Sequence, residues 1–311
     1  MEQGAWSKGL RCVLLLAPCY LLSICACQTS SGSGSRGKFD GPRAFTYLQQ
    51  QVTFGPRIPG TPAHEQEGDW LQRELRARAD TVIVQAFDHR LAHGGTTLHL
   101  RNFLARFKPD AAERVLLLAH WDTRPHADQA RDSAARRLPV PGANDGASGV
   151  AVLLGVADAL KARAPAVGVD LLFVDGEDFG DFADSNDVLI GSRWFAAHQP
   201  AGYPPLFAVL LDMVGDKDLQ IYVEGNSQSA APEVVDRVWR TAADLGYGRV
   251  FLPGVKPTLT DDHVALQQAG IHAIDVVDFD YPYWHTTEDT VDKVSAASLQ
   301  VVGDVAIALV R

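Results

Sequence analysis

The sequence predicts an α/β protein, a three-layer α/β/α sandwich around a mixed, mostly parallel central sheet. Three observations carry that expectation. From residue 114 onward, short apolar runs alternate with longer helix-periodic stretches, the pattern of strands joined by crossover helices. The runs 114–119 and 169–174 are apolar almost throughout, as in strands covered on both faces. The polar residues suited to chemistry fall where such runs end, which is where ligands gather on sheets of this kind.

The elements follow in order. Lys8 and Arg11 precede an apolar run over 12–26, too short to span a bilayer comfortably and flanked like a signal peptide. Ile24-Cys25-Ala26-Cys27 resembles a bacterial lipobox. Cleavage before Cys27 would leave a lipid-anchored chain on the periplasmic side of a bacterial membrane. An ordinary cleaved signal, giving a periplasmic or secreted protein, is the alternative, and both readings export the chain. Residues 28–39, rich in Ser and Gly, read as a flexible tether. The organisation is therefore a leader over 1–27, a tether over 28–39 and one domain over 40–311.

Within that domain, 40–52 reads as a helix with Phe45, Leu48 and Val52 on one face. A Gly/Pro-punctuated loop, FGPRIPGTP, covers 54–62. A second helix over 64–79 presents Trp70, Leu71 and Leu75. Segments 81–87 and 96–103 read as an antiparallel strand pair. Strands are expected at 114–119, 169–174, 206–212, 219–224 and 271–277, and helices at 144–162, 191–198, 231–245, 263–269 and 295–310. No repeat or internal linker interrupts them. The formal charge of −10 argues against nucleic acid as a partner.

All four cysteines, Cys12, Cys19, Cys25 and Cys27, lie in the leader. A metal in the domain must therefore be held by histidines and carboxylates, which points to an open catalytic zinc site. The stretch 170–180, DLLFVDGEDFG, is the centre of that expectation. Its strand runs into Asp175, Glu177 and Asp178, and desolvated carboxylates repel unless a cation or proton lies between them. One would serve as ligand and the other as proton carrier; a solvated strand-to-loop corner is the plainer alternative. Further candidates sit at successive strand ends: His120 and Asp122, Asp145 opening a helix, Asp212, and His285 within YPYWHTTEDT.

The motifs AHWDTRP, PGANDGASG, DGEDFG, LDMVG, TDDH and WHTTEDT together resemble those of the zinc aminopeptidase family M28, over nearly all of 40–311. By position, the resemblance implies Asp145, Asp178 and His285 as ligands of the zinc site common to that family. It implies His120 and Asp212 as ligands of a second metal in two-zinc members, with Asp145 bridging. Asp122 would orient the His120 ring from outside, and Glu177 would be the general acid/base. Asp178 stands where many relatives carry Glu.

Four features resemble the glutaminyl cyclase branch of the same clan: Trp284 directly before His285, Asp261 in TDDH, the run DSNDVLIGSRWF from residue 184, and the opening FGPRIPGTP. Ala119 replaces a disulfide cysteine of the animal enzymes, and their pocket tryptophan aligns near Ala183. The implied activity is conversion of N-terminal Gln of peptides to pyroglutamate with release of ammonia. In it, Glu177, Asp212 and Asp261 would share protons, and Trp284 would wall the pocket. The alternative is an aminopeptidase, with one or two zinc ions and Asp212 as a ligand. Asp261 also reads as the N-cap of the helix beginning near His263. The remaining histidines, His64, His89, His93, His99, His126, His198 and His272, read as surface or loop residues, with His263 set apart because it abuts Asp261 and Asp262 and is expected to hold that loop in place. Arg124 and the 125–141 loop are expected at the pocket rim.

Overall fold

A computed structural model describes residues 38–311, apart from positions 184, 201, 202, 204 and 257. The leader, Cys27 and most of the tether lie outside the described residues.

Helix α1 (Gly41–Thr53) starts after Asp40, whose side chain accepts from Arg43 N at 2.9 Å. Helix α2 (Pro62–Arg76) starts after Thr61 with Pro62 in its first turn, where a missing N–H is harmless. Strands β1 (Thr81–Arg90) and β2 (Thr97–Phe107) pair antiparallel, with Thr81 opposite Arg106 and Arg90 opposite Thr97. β2 runs past the expected end at 103 because residues through Phe107 pair with the next strand inward. Then come β3 (Arg114–His120), α3 (Ala147–Ala162), β4 (Gly168–Val174), α4 (Ile190–Ala197) and β5 (Phe207–Asp212). After β6 (Ile221–Val223) follow α5 (Gly225–Ala230), α6 (Pro232–Asp244), β7 (Phe251–Val255), α7 (Asp262–Gln268), β8 (Ala273–Val277) and α8 (Ala296–Leu309).

The main sheet has the order β1-β2-β4-β3-β5-β8, with β4, β3, β5 and β8 parallel and β2 antiparallel to both its neighbours. Successive side chains of a strand point to opposite faces, and the core divides accordingly. Val115, Leu117 and Ala119 of β3 join α1, α3 and α8 through Leu48, Val150 and Val302. Leu116 and Leu118 face Phe195 of α4 and Leu266 of α7. That is the expected three-layer sandwich.

Two elements escaped the sequence. β7 pairs with β6 in a small parallel sheet, but its sequence FLPGV contains Pro and Gly, which blunt any strand signal. α5, GNSQSA, has no apolar periodicity and owes its start to the Glu224 carboxylate, which accepts from Asn226 N and Ser227 N. α3 begins at Ala147, not Asn144, because Gly146 has φ +91. A Cβ there would also meet the Asp122 carbonyl at 2.5 Å, so the turn requires glycine.

The four parallel strands end on one edge of the sheet. The β3–β4 and β3–β5 pairings make β3 the switch point of the winding, where the crossovers diverge and a crevice opens.

A candidate metal centre and its pocket

The sheet edge brings the predicted residues together. His120 is the last residue of β3 and Asp212 the last of β5. Asp145 sits in the turn before α3, Glu177 and Asp178 follow β4, and His285 lies in the loop after β8. Two groups form, His120 with Asp145 and Asp212, and Asp145 with Asp178 and His285; in each, the ligand atoms lie within 4.8 Å of one another. His120 Nε2 is 3.1 Å from Asp145 Oδ1 and 3.2 Å from Asp212 Oδ1. His285 Nε2 is 3.4 Å from Asp178 Oδ1 and 3.7 Å from Asp145 Oδ2. Asp145 belongs to both groups.

The chemistry of this donor set fits zinc. All five side chains are buried. Asp145 Oδ2 and Asp178 Oδ2 accept no hydrogen bond, and leaving such atoms unanswered in the interior costs about 1–3 kcal/mol each. A divalent cation between them removes that penalty. Two carboxylates and one imidazole leave the fourth position of a tetrahedral zinc open, as a catalytic site requires.

Surrounding residues fix these ligands. His285 Nδ1 is 3.2 Å from Asp128 Oδ1, an arrangement that aims Nε2 inward. Arg124 donates to Asp128 Oδ2 at 2.6 Å and to Asp178 Oδ1 at 2.7 Å, closing a ring around His285. His285 itself has φ +52, a region that non-glycine residues rarely occupy. Its carbonyl accepts from Gln129 N at 3.1 Å, and Trp284 stacks on its ring at 4.0 Å. The Asp289 carboxylate accepts from Asn144 N, Asp145 N and Tyr281 Oη at 2.8, 3.1 and 2.7 Å. It thereby ties the WHTTEDT loop to the turn that carries Asp145. Asn144 Oδ1 accepts from Gly215 N at 2.7 Å, and Ser148 Oγ from Val214 N at 3.0 Å, which joins that turn to the loop after Asp212.

Asp122 has a duty beyond the one the resemblance implies. Its Oδ1 lies 3.6 Å from His120 Nδ1, behind the ring on the side away from the ligand groups. Its oxygens also accept from Glu177 N at 3.0 Å and Asp178 N at 3.2 Å, so it holds the acidic turn in place.

A cavity of about 240 Å³ opens over the centre, lined by Asp145, Glu177, Asp178, Asp212, Asp261 and His285 and by an apolar side that includes Phe182, Leu259, Phe279 and Trp284. Burial, and then the charges of Asp178, Asp261 and Asp262, hold the Glu177 carboxyl well above its ordinary range against the pull of His120. Burial and the neighbouring Asp212 push Asp261 up to about 7. Burial works against the charge on His285, but Asp178 and Asp128 carry it up to about 9. A cation held by Asp145, Asp178 and His285 would displace the proton from His285, leaving the elevated carboxyls of Glu177 and Asp261 as the groups that can hold protons in the cavity.

Several sequence expectations change. Asp175 turns away from the site: its carboxylate meets His64 Nε2 and Arg101 N, both at 2.7 Å. His64 is therefore no surface residue; it is wholly buried and stacks on Trp121 at 4.3 Å. His263 is also wholly buried, and its Nε2 bonds Glu224 at 3.1 Å. His93, His99, His126, His198 and His272 are exposed and His89 is half-buried, as expected. Asp261 caps α7 through Asp262 N, as one of its two readings expects, and it also lines the cavity. Ala183 is exposed, and Phe182 beside it supplies the aromatic side chain on that wall. Arg124 is buried against Asp178, deeper than a rim position. Asp128, Asp289 and Arg57 were not foreseen.

Residues 102–310 match the model of Peptidase family M28. Among solved structures, the chain is similar to a glutaminyl cyclase from Porphyromonas gingivalis, at 40% identity and TM-score 0.83, over 87% of this chain and 97% of that one. It is also similar to a leucine aminopeptidase precursor from Bacteroides thetaiotaomicron, at 36% identity and TM-score 0.84, over 88% and 97%. A curated relative, endoplasmic reticulum metallopeptidase 1 of Homo sapiens, is 24% identical over 304 residues, 93% of this chain. The chain spans only 32% of the length of that relative.

Proposed function

The chain belongs to peptidase family M28, and from that premise we propose that it is a zinc-dependent glutaminyl-peptide cyclotransferase. Its substrate is the N-terminal Gln of a peptide or protein. The α-amine nitrogen attacks the γ-amide carbon, a five-membered lactam closes, the bond to the amide nitrogen breaks, and ammonia leaves. The observation that carries the reading is Asp261. It lines the cavity beside Glu177 and Asp212, yet belongs to neither ligand group.

Asp145, Asp178 and His285 would hold the zinc. When bound there, zinc supplies Lewis-acid polarisation of the γ-amide carbonyl. Glu177 takes the proton that the attacking amine sheds and returns it to the departing nitrogen, a task suited to a carboxyl held above its ordinary range. Asp212 and Asp261 share protons with the amine and keep it oriented. Trp284, Phe279 and Leu259 limit water in the cavity, which disfavours hydrolysis of the same amide.

One observation favours a second reading. His120, Asp145 and Asp212 also form a metal-sized group, as an aminopeptidase with two metal ions would need. Water would then replace the α-amine as nucleophile, with Glu177 relaying its proton to the leaving amine. Zinc-loaded protein offered a Gln-initiated peptide beside a Leu-initiated one separates the two by mass spectrometry. Loss of ammonia from the first with the second untouched supports the cyclase; release of free leucine without ammonia loss overturns it. Export through the leader, with lipid on Cys27, is proposed from the sequence alone, and the intact mass of the membrane-extracted protein tests it.

A further inference from the structure

Behind the apolar wall of the cavity lies a carboxylate that takes no part in the metal centre. Glu224, directly after β6, is wholly buried. Its Oε1 accepts from Asn226 N at 2.8 Å and Leu259 N at 2.9 Å. Its Oε2 accepts from Ser227 N at 2.6 Å and Ser227 Oγ at 2.7 Å, and lies 3.1 Å from His263 Nε2. One side chain so joins the end of β6, the first turn of α5, the segment 258–261 and α7. The Leu259 peptide is gripped from its other side as well, since Asn226 Nδ2 donates to Leu259 O at 2.6 Å. Gly225 lets the segment come this close: a Cβ there would meet Thr258 Oγ1 at 2.3 Å.

The segment held in this way is pocket wall. Thr258, Leu259, Thr260 and Asp261 all line the cavity, and 258–260 belong to no helix or strand. Leu259 packs into the same apolar cluster as Phe279 and Trp284, around Met213, Val277 and Tyr281. Asp261 has its own anchor, because it caps α7. The wall over 258–260 is thus held directly by Glu224 and Asn226, whereas Asp261 is anchored to α7, which Glu224 reaches only through His263.

We propose that Glu224, acting with Asn226 and His263, is a positioning residue that sets the 258–260 wall and so determines how tightly the side chain of the substrate's N-terminal residue is held. This rests on the cavity being the site that receives a peptide N-terminus. Asn226→Ala removes one grip on Leu259 and leaves Glu224 intact. Glu224→Gln keeps the shape but turns an amide donor toward groups that already donate. A wall contact made equally in ground and transition states appears in KM and not in kcat.

The experiment compares the zinc-loaded wild type with Asn226→Ala and Glu224→Gln on a Gln-initiated peptide, with zinc content and melting temperature measured alongside. Binding of the same peptide is also measured by calorimetry in a Glu177→Gln background, where turnover does not interfere. The expected result is a KM and dissociation constant raised about tenfold, with kcat within about threefold and zinc content unchanged. Unchanged affinity in both variants overturns the proposal, as does a kcat that falls in step with zinc content or folded fraction. Failure of the functional reading looks different: the wild type releases leucine and no ammonia, and the same comparison on the Leu-initiated peptide then tests the wall. A Glu177→Gln parent that binds neither peptide overturns both.

Discussion

Glu177 differs from the carboxylates around it in what faces it. Asp145, Asp178 and Asp212 each have an imidazole nitrogen within 3.1 to 3.4 Å. Glu177 has His120 Nδ1 at 3.7 Å and burial that favours its neutral form. That separation suits Asp145 and Asp178 to hold the proposed zinc and Glu177 to carry a proton. Replacing Glu177 with Gln should therefore lower turnover by about two to four orders of magnitude, with zinc content unchanged by elemental analysis. A variant that loses zinc in proportion to activity would make Glu177 a ligand instead. Arg124 and Asp128 act one layer out. Arg124→Ala frees Asp178 Oδ1 and unbalances Asp128, so zinc affinity, read by chelator competition, should fall about 10- to 100-fold with the fold intact. An unchanged affinity would mean that the stacking of Trp284 and the backbone at φ +52 suffice to hold His285.

Loops, more than strands, decide how well the site is built, and here the sequence was only partly legible. The ligands could be read because each falls at the end of an apolar run or inside a short distinctive string, both local signals. Their supports could not, because each joins distant parts of the chain. Arg57 reaches Gly142 across 85 positions, Asp289 reaches Asn144 across 145, and Asp128 reaches His285 across 157. His64 looked like an ordinary polar residue on α2 for the same reason, since Asp175 lies 111 positions away. Arg57 shows what such a support does. Its guanidinium donates to Pro141 O and to Gly142 O, and its own carbonyl accepts from Thr123 N at 3.2 Å. One residue thus braces the loop leading to Asp145 and the segment after His120. Arg57→Lys loses the planar fork that meets two carbonyls at once. Each carbonyl left without a donor should destabilise the protein by about 1–3 kcal/mol, and zinc affinity should fall with it. Denaturant unfolding with and without zinc checks both. A variant of unchanged stability would show that Asp289 alone braces the loop.

For the whole molecule, two equilibria are linked to folding. The proposed zinc would bind residues carried by the loops after β3, β4 and β8, a site the unfolded chain lacks, so free zinc should raise the melting temperature and a chelator should lower it. The second is protonic and lies away from the metal. Glu67 is wholly buried with its Oε2 3.0 Å from Arg57 Nε, and neither of its oxygens has a hydrogen-bond partner. Burial lifts its carboxyl to about 8, against the opposing pull of Arg57, from an ordinary value of 4.5. The folded state then holds this proton more tightly than the unfolded state does. The stability that Glu67 contributes is complete below about pH 4.5 and is lost as pH rises through about 8, a span worth on the order of a few kcal/mol. Glu67→Gln keeps the neutral shape and cannot ionise. Its melting temperature relative to wild type should therefore climb between pH 5.5 and pH 8.5, roughly the window those two values set, with zinc held saturating at both ends. A difference that stays flat across the window would mean that Arg57 keeps Glu67 ionised in the fold. The pair would then be a true buried salt bridge, and Glu67→Gln would be destabilising at every pH because it strands the guanidinium.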